Sequence, residues 1–386
     1  MQKKKILVFI NYFGKKSETF ISDEIDFLSK QDSIDFSVLH YGSSMPEKNI
    51  AGVSMPLSPM RRWTQSITKL NVSVLKSLKY KNGLNGSLAF FIAFFKKNHF
   101  DTIYCHFGTN GKIVAQLKEL GVIPSQTKVV VRFHGLDMLF SKYPVGYYDV
   151  LNKYASKIIV GSDYAYKVLL DYKIEKKSLT KLPVGIKRQN ISSTEFGNSH
   201  KPVTIISIGR LIELKGHLIS LEIARELDRL GLDFFYTIIG DGPQYNQICE
   251  TIQKYNLQAR VEVIRGLEHT KVLEKLQASQ IYLYPGIKDA SGRVETQGLA
   301  NLEAMAKGLV IVASDVGGVP DYVKSDKTGF LCQPGMVQEF VKKLAWVMNE
   351  YCSDEIEKIR QNAIEIVLKN YCQEALNDML LDILKD

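Results

Sequence analysis

Glu295 and Glu303 stand eight positions apart, with Gly298 between them, in the stretch ETQGLANLEAMAKGLVIVASDVGGVPDYV over residues 295–323. Were the whole interval helical, eight steps of about 100° would set the carboxylates about 80° apart around the axis and roughly 12 Å apart along it. Such a pair cannot share one substrate atom. It can grip two ends of an elongated ligand if Glu295 lies in the loop before a helix and Glu303 lies two turns inside it. The residues between, Thr296, Gln297, Gly298 and Leu299, would then supply unpaired backbone N–H groups and the positive end of the helix dipole, a site for a phosphate. The arrangement suits a sugar, a diphosphate and a nucleoside ribose in a row.

Cations occur at a matching place. SIGRLIELKGHLISL sets Gly209 and Arg210 just after a β-branched run, and Lys215 and Gly216 just before a helical pattern. Ligands of open α/β sheets bind at the carboxyl ends of strands. An Arg can pair with two phosphate oxygens and a Lys can neutralise them as a point charge, so the two make a diphosphate clamp; alone, they also read as solvated surface. In IIGDGP, residues 238–243, Gly240 and Gly242 allow backbone to approach a ligand, and Pro243 suits the first turn of a helix. Turn chemistry alone explains the same glycines. The run is not G-x-G-x-x-G, so it carries no dinucleotide fingerprint. VVVRFHGLD, residues 129–137, presents His134, Gly135 and Asp137 beyond another buried run. His134 there could donate to a sugar hydroxyl or a developing oxyanion, or be a locally satisfied structural residue. Asp137 would set the loop or orient a neighbour.

The elements that must position these residues alternate. In the first half, KILVFI, DFSVLHY, DTIYCHF, KVVVRFHG, KIIVGSD and LTKLPVGI read as strands, separated by helical patterns over 18–29, the basic region beyond residue 60, 111–120 and 165–171. Residues 189–202 are polar and read as an interdomain linker. The pattern restarts with VTIISIG, DFFYTIIGDGP, VEVI, IYLYP, LVIVAS and GFLC, with helices over 217–230, 245–255, 270–278 and the segment holding Glu303. Strand–helix alternation of this kind predicts parallel sheets covered on both faces, here two in tandem. The domains expected are 1–190 and 198–366. The helical stretch 353–386 is long enough for its end, 367–386, to pack back on the first domain.

A chain of 386 residues with 45% apolar content has material for two cores. The start MQKKKILVFINYFG has too short an apolar run for a secretory signal, and the longest apolar run, residues 88–95, is far short of a membrane span, so a cytoplasmic protein is expected. The five cysteines, Cys105, Cys249, Cys332, Cys352 and Cys372, are scattered and odd in number, which argues against a disulfide framework or a zinc site. No dedicated metal site is expected. Of the net charge of +9, residues 1–197 carry 29 Lys and Arg against 15 Asp and Glu, and the remainder 21 against 26. No acidic residue falls between Glu47 and Asp101. There Arg61, Arg62, Lys69, Lys76, Lys79, Lys81, Lys96 and Lys97 are interleaved with Trp63, Leu70, Val74, Leu75, Leu78, Phe90, Phe91, Phe94 and Phe95. The segment reads either as contact with an anionic membrane surface or as core helix faces with solvated backs. Nucleic acid is not an expected partner, because no nucleic-acid module accompanies the charge.

Together, GRL…KG, IGDGP, YPG…E-x7-E…EAMAKG and the HG-x-D of the first half resemble the retaining family 4 glycosyltransferases, which use nucleotide sugars and have the GT-B fold of two Rossmann-like domains facing across a cleft. The resemblance is close from Val203 to Leu331. SETF at 17–20 and HFGTNGKIVA at 106–115 resemble members that build colanic acid and other exopolysaccharides. The resemblance implies that Glu303 accepts from ribose hydroxyls, Arg210 and Lys215 hold the diphosphate, and N–H groups of Gln297 to Leu299 cap its distal phosphate. It further implies that Glu295 and His134 contact the transferred sugar and that main chain near Arg265, Gly266 and Leu267 meets the base. Where many members carry a Gly-Gly loop after the first strand, this chain has only Gly14, so Gly14, Lys15 and Glu18 are candidate ligands there. The reaction implied moves a hexose from a UDP- or GDP-linked donor to a glycan or polyprenyl-linked acceptor, with anomeric configuration kept and no metal required. The leaving phosphate itself takes the acceptor's proton, and domain closure precedes the chemistry. A peripheral place on the inner face of the cell membrane follows. Two other readings stay open on the same fold: an inactive partner subunit that binds glycan or nucleotide sugar, and a nucleotide-sugar epimerase.

Overall fold

The computed structural model describes residues 3–14, 19–43, 53–56, 87–191 and 202–386, with backbone alone at 53–56 and 87–90. Contacts divide the chain into two units, one of residues 1–161, 166–182 and 377–386, the other of 162–165 and 183–376.

In the first unit the β-branched runs form β1 (Lys4–Phe13), β2 (Ile34–Ser43), β3 (Val53–Pro56), β4 (Thr102–His106), β5 (Lys128–Arg132), β6 (Lys157–Val160) and β7 (Leu179–Lys181). They pair, all parallel, in the order β3-β2-β1-β4-β5-β6-β7. Strand order reverses between β1 and β4, so the loops leaving those two strands diverge and leave a crevice at their carboxyl ends. Gly14 follows β1, and His106 ends β4. The helix after β4 runs Gly108–Glu119, starting three residues earlier than its apolar pattern suggests. A Cβ at Gly108 would lie 2.2 Å from the Phe133 ring and one at Gly111 2.5 Å from Val131, so only glycines let this helix start lie against β5 and the loop beyond it.

The second unit repeats the scheme with β8 (Val203–Ile208), β9 (Phe234–Ile239), β10 (Val261–Ile264), β11 (Ile281–Tyr284), β12 (Val310–Ser314) and β13 (Phe330–Cys332), again parallel, in the order β10-β9-β8-β11-β12-β13. Alternate residues face opposite layers. Ile205, Tyr236, Ile238, Leu283 and Val312 pack with Leu221, Ile248 and Phe340, whereas Ile206, Ile239, Tyr282, Ile311 and Ala313 pack with Leu276, Leu302, Met305 and Val367. Both faces are buried, which is why these strands read as near-continuous apolar runs.

Several elements depart from expectation. The helix Val337–Asn349 was not anticipated, although its buried Phe340, Val341, Leu344 and Val347 follow the 3.6-residue period. The C-terminal stretch is two helices, Asp354–Asn370 and Gln373–Lys385, interrupted where the backbone of Tyr371 and Gln373 bonds to Ile186. In the first unit, Thr102 Oγ1 donates to the Leu384 carbonyl at 2.9 Å. In the basic region, the helix Ser87–Lys97 buries Phe91, Ile92 and Phe95 and exposes Lys96 and Lys97, so this part behaves as a core helix. Arg61, Arg62, Trp63, Lys69, Lys76, Lys79 and Lys81 lie outside the described residues. No helix of the described residues is long and apolar enough to cross a membrane.

Candidate functional site

In the second unit the strand order reverses between β8 and β11, and the residues singled out in the sequence gather on the loops leaving those strands. The chain turns at Gly209 into a short loop that ends at Lys215 and Gly216. Gly216 has φ 70°, and a Cβ there would lie 1.9 Å from the Pro285 carbonyl oxygen, so glycine alone lets the β8 loop lie against the end of β11. That contact brings Lys215 beside the long loop 285–298. Lys215 Nζ and the Glu295 carboxylate form an ion pair whose side chains are only 15% and 14% exposed. Lys215 Nζ also lies 5.5 Å from the centre of the Tyr284 ring. Burial first, and then the Glu295 charge, raise the Tyr284 hydroxyl well above its ordinary pKa, so the phenol stays protonated beside the pair. Arg210 is exposed, and its guanidinium makes no ion pair among the described residues. Lys215 is thus already paired with an acid, whereas Arg210 is exposed to solvent.

Glu295 and Thr296 are held from beneath. Gly318 N–H donates to the Glu295 carbonyl at 2.9 Å, and Cβ atoms at Gly317 and Gly318 would lie 1.9 Å and 2.1 Å from the carbonyl oxygens of Glu295 and Thr296. Gln297 clasps the chain elsewhere: its Oε1 accepts from Val184 N–H at 2.9 Å, and its Nε2 donates to the Val184 carbonyl at 2.6 Å. Gly298, at φ 82°, opens the helix Leu299–Ala306, and no side chain caps that end. Since 295–298 are not helical, the 80° and 12 Å spacing of an ideal helix does not hold here. Glu303 stands a little over one turn into the helix rather than two. It is 13% exposed, and its Oε1 lies 2.8 Å from His269 Nε2.

The neighbouring loops complete the surround. A Cβ at Gly240 would lie 1.9 Å from the Gly209 carbonyl oxygen, so Gly240 serves the packing of the β9 loop on the β8 loop. Arg265 pairs with Asp241 at 2.8 Å, and Gly266 and Leu267 lead from β10 towards His269. The sequence reading assigned no role to His269, Tyr284, Gly317 or Gly318. The G-G-x-P of residues 317–320 was the one visible signal among them.

In the first unit, His134 and Asp137 follow β5. Asp137 is buried, and its carboxylate accepts from the N–H groups of Gly108 at 2.7 Å, Gly135 at 2.9 Å and His134 at 3.0 Å. Burial pushes its pKa up and those three donors pull it down. With its oxygens occupied by backbone, Asp137 shapes the His134 loop. His134 Nε2 lies 3.0 Å from His106 Nδ1. Desolvation drives both imidazoles well below their ordinary pKa, so both are neutral. Gly14 follows β1 with φ 77°. Lys15 and Glu18 lie outside the described residues. Among the described residues no group of three or more His, Cys, Asp or Glu is placed to hold a metal ion.

Residues 189–366 match the family model described as glycosyl transferases group 1. A Salmonella typhimurium protein provisionally named colanic acid biosynthesis glycosyltransferase WcaL is 25% identical, over 99% of each chain. Among solved structures, a glycosyltransferase from Rickettsia africae superposes with a TM-score of 0.77 at 17% identity, over 100% of this chain and 98% of that one. HepE of Anabaena, in complex with UDP-glucose, gives a TM-score of 0.74 at 16% identity, over 99% of each chain. These two likenesses are to the GT-B fold.

Proposed function

We propose that this chain, whose residues 189–366 match the group 1 glycosyltransferases and which has the GT-B fold, is a retaining hexosyltransferase that takes its sugar from a nucleotide diphosphate donor, UDP- or GDP-linked, and passes it to a glycan or polyprenyl-linked acceptor in exopolysaccharide biosynthesis. The observation that supports this best is the Lys215–Glu295 pair at the β8–β11 switch point, next to the uncapped helix start before Glu303. One carboxylate, one cation, free helix-end amides and a second carboxylate follow each other there, matching sugar, diphosphate and ribose. The WcaL name and the UDP-glucose bound to HepE favour an exopolysaccharide product and a UDP donor.

In this reading Glu303 takes the ribose hydroxyls and displaces His269. Arg210, Lys215 and the amides of Gln297 to Leu299 take the diphosphate. As the bond from the anomeric carbon to the phosphate oxygen breaks, charge builds on the diphosphate, and these groups stabilise it by several kcal/mol in a dry site. The acceptor oxygen bonds to the same face of the anomeric carbon, and the departing phosphate oxygen takes its proton. The fixed cations make a metal unnecessary. Glu295 positions the sugar. The excess of basic residues in the first half suits a peripheral place on the anionic inner face of the cell membrane.

The test supplies UDP- and GDP-hexoses, with and without a glycan or polyprenyl-phosphate acceptor, in the presence of EDTA. Nucleotide release should require the acceptor, and NMR of the product should show the donor's anomeric configuration. Inverted product, or release abolished by EDTA, overturns the mechanism. A donor sugar epimerised without acceptor, or donor bound without any release, overturns the transferase reading itself.

A further inference from the structure

In the second unit, burial first and then the charge of Glu295, among others, keep the hydroxyls of Tyr282, Tyr284 and Tyr322 protonated. Two of the three are committed. Tyr282 Oη donates to the Ile208 carbonyl at 3.1 Å. Tyr322 Oη accepts from Asn301 Nδ2 at 2.9 Å and donates to the Gly298 carbonyl at 3.4 Å. Tyr284, the last residue of β11, is 3% exposed, and its Oη makes no hydrogen bond among the described residues. A Cβ at Gly286 would run into this hydroxyl, so the turn that follows β11 lies directly against it. A buried donor without an acceptor is uncommon, and phenylalanine would fill the same space without that cost.

What stands beside the hydroxyl accounts for it. Lys215 Nζ rests 5.5 Å from the centre of the Tyr284 ring and pairs with Glu295 Oε2. Glu295 lies close enough to act on the phenol proton, yet outside hydrogen-bond geometry. The Glu295 carbonyl is pinned by Gly318 N–H at 2.9 Å, so if Lys215 turns elsewhere, the side chain of Glu295 adjusts and its backbone does not. A largely buried carboxylate that loses its cation needs another donor. The Tyr284 hydroxyl is a donor in reserve.

We propose that Tyr284 is a positioning residue: when a diphosphate takes Lys215, the Tyr284 hydroxyl closes a hydrogen bond to Glu295 and holds that carboxylate with its second oxygen left for the transferred sugar. The proposal rests on the reading that Lys215 engages the donor's diphosphate. Glu295 then has a donor at every stage, the ammonium before the ligand and the phenol after it. The phenol keeps its proton throughout.

Calorimetric titration of the full chain with UDP, GDP, uridine and guanosine tests this. Tyr284→Phe keeps the ring face on which Lys215 rests and removes only the hydroxyl. It should bind the diphosphate nucleotide about tenfold more weakly than wild type, and the nucleoside equally well. Without ligand it should melt no lower than wild type. Equal affinity of the two proteins for the diphosphate overturns the role of Tyr284 and leaves the Lys215 reading standing. A parallel loss for the nucleoside makes the effect structural, and a lower melting temperature without ligand shows a hydroxyl already bonded at rest. Either result overturns the proposal. If wild type binds neither diphosphate more tightly than its nucleoside, the diphosphate reading fails and the proposal fails with it. In Glu295→Ala, adding Tyr284→Phe should leave diphosphate affinity unchanged. A loss that persists there means that the hydroxyl serves the phosphate rather than Glu295, and overturns the proposal.

Discussion

Lys215 and Glu295, eighty residues apart, close an ion pair at the carboxyl ends of β8 and β11. Each neutralises the other before any ligand arrives. If a diphosphate binds here as proposed, it must draw Lys215 partly away from Glu295, which would free that carboxylate to meet a sugar hydroxyl. Replacing Lys215 with alanine should lower turnover by tens of fold with the melting temperature within a few degrees of wild type, because transition-state charge loses a cation. Steady-state nucleotide release and a thermal melt check both parts. Unchanged turnover would remove Lys215 from the diphosphate.

Glu303 and His269 give a paired prediction. If Glu303 receives ribose hydroxyls, Glu303→Ala loses hydrogen bonds to a charged acceptor, about 2 kcal/mol or ~30-fold in nucleotide affinity. His269 occupies the same carboxylate at 2.8 Å and is itself mostly exposed, so His269→Ala should bind nucleotide no more weakly than wild type. Calorimetric titration with UDP and GDP reads both. Equal affinity in Glu303→Ala contradicts the ribose assignment, and a loss in His269→Ala makes His269 a ligand.

The floor of the Glu295 loop can be tested by adding one carbon. Gly317→Ala sets a Cβ 1.9 Å from the Glu295 carbonyl oxygen at a φ of 58°, whereas Gly335→Ala, at φ 80°, meets nothing within 4 Å. The second substitution isolates backbone strain at about 1 kcal/mol. The first should cost about 2–4 kcal/mol and reduce turnover as well, because Glu295 moves with its own carbonyl. Urea midpoints measure the difference. Equal costs at both positions would mean that the close approach is not rigid.

The strands were legible because burial on both sheet faces writes apolar runs such as VTIISI and LVIVAS directly into the sequence. The loops at their ends were legible as glycine and cation clusters, GRLIELKG above all. Partners brought in by closure of the fold were not. His269 reaches Glu303 from 34 residues away, and Glu24 reaches Arg132 from 108. Nothing local in either sequence neighbourhood marks the contact. Gly317 and Gly318 lay in plain view, but glycines read from sequence do not say which carbonyl they make room for. The helix around Glu303 was legible in kind and not in its start, since an αL glycine at 298 delays its first turn to Leu299 and leaves Glu303 a little over one turn inside it.

The last prediction concerns acid. His217 opens the helix His217–Arg229 directly after the Lys215 loop and is 2% exposed. Burial, and then the positive charge of Lys215, push its imidazole down to about 4, against an opposing pull from the Arg210 backbone. The positive end of the helix dipole disfavours an imidazolium in the same way. Since the folded chain resists the proton and the unfolded chain accepts it near pH 6.5, the stability held by neutral His217 is complete above that pH. It is lost as pH falls towards 4, by up to about 3 kcal/mol. His106 and His134 are shifted in the same direction, so the wild type alone cannot isolate the effect. His217→Gln removes one titrating group and should flatten the fall in unfolding free energy between pH 7 and pH 4.5 relative to wild type. Parallel stability curves for the two proteins across that range would show that His217 does not couple the Lys215 loop to acid.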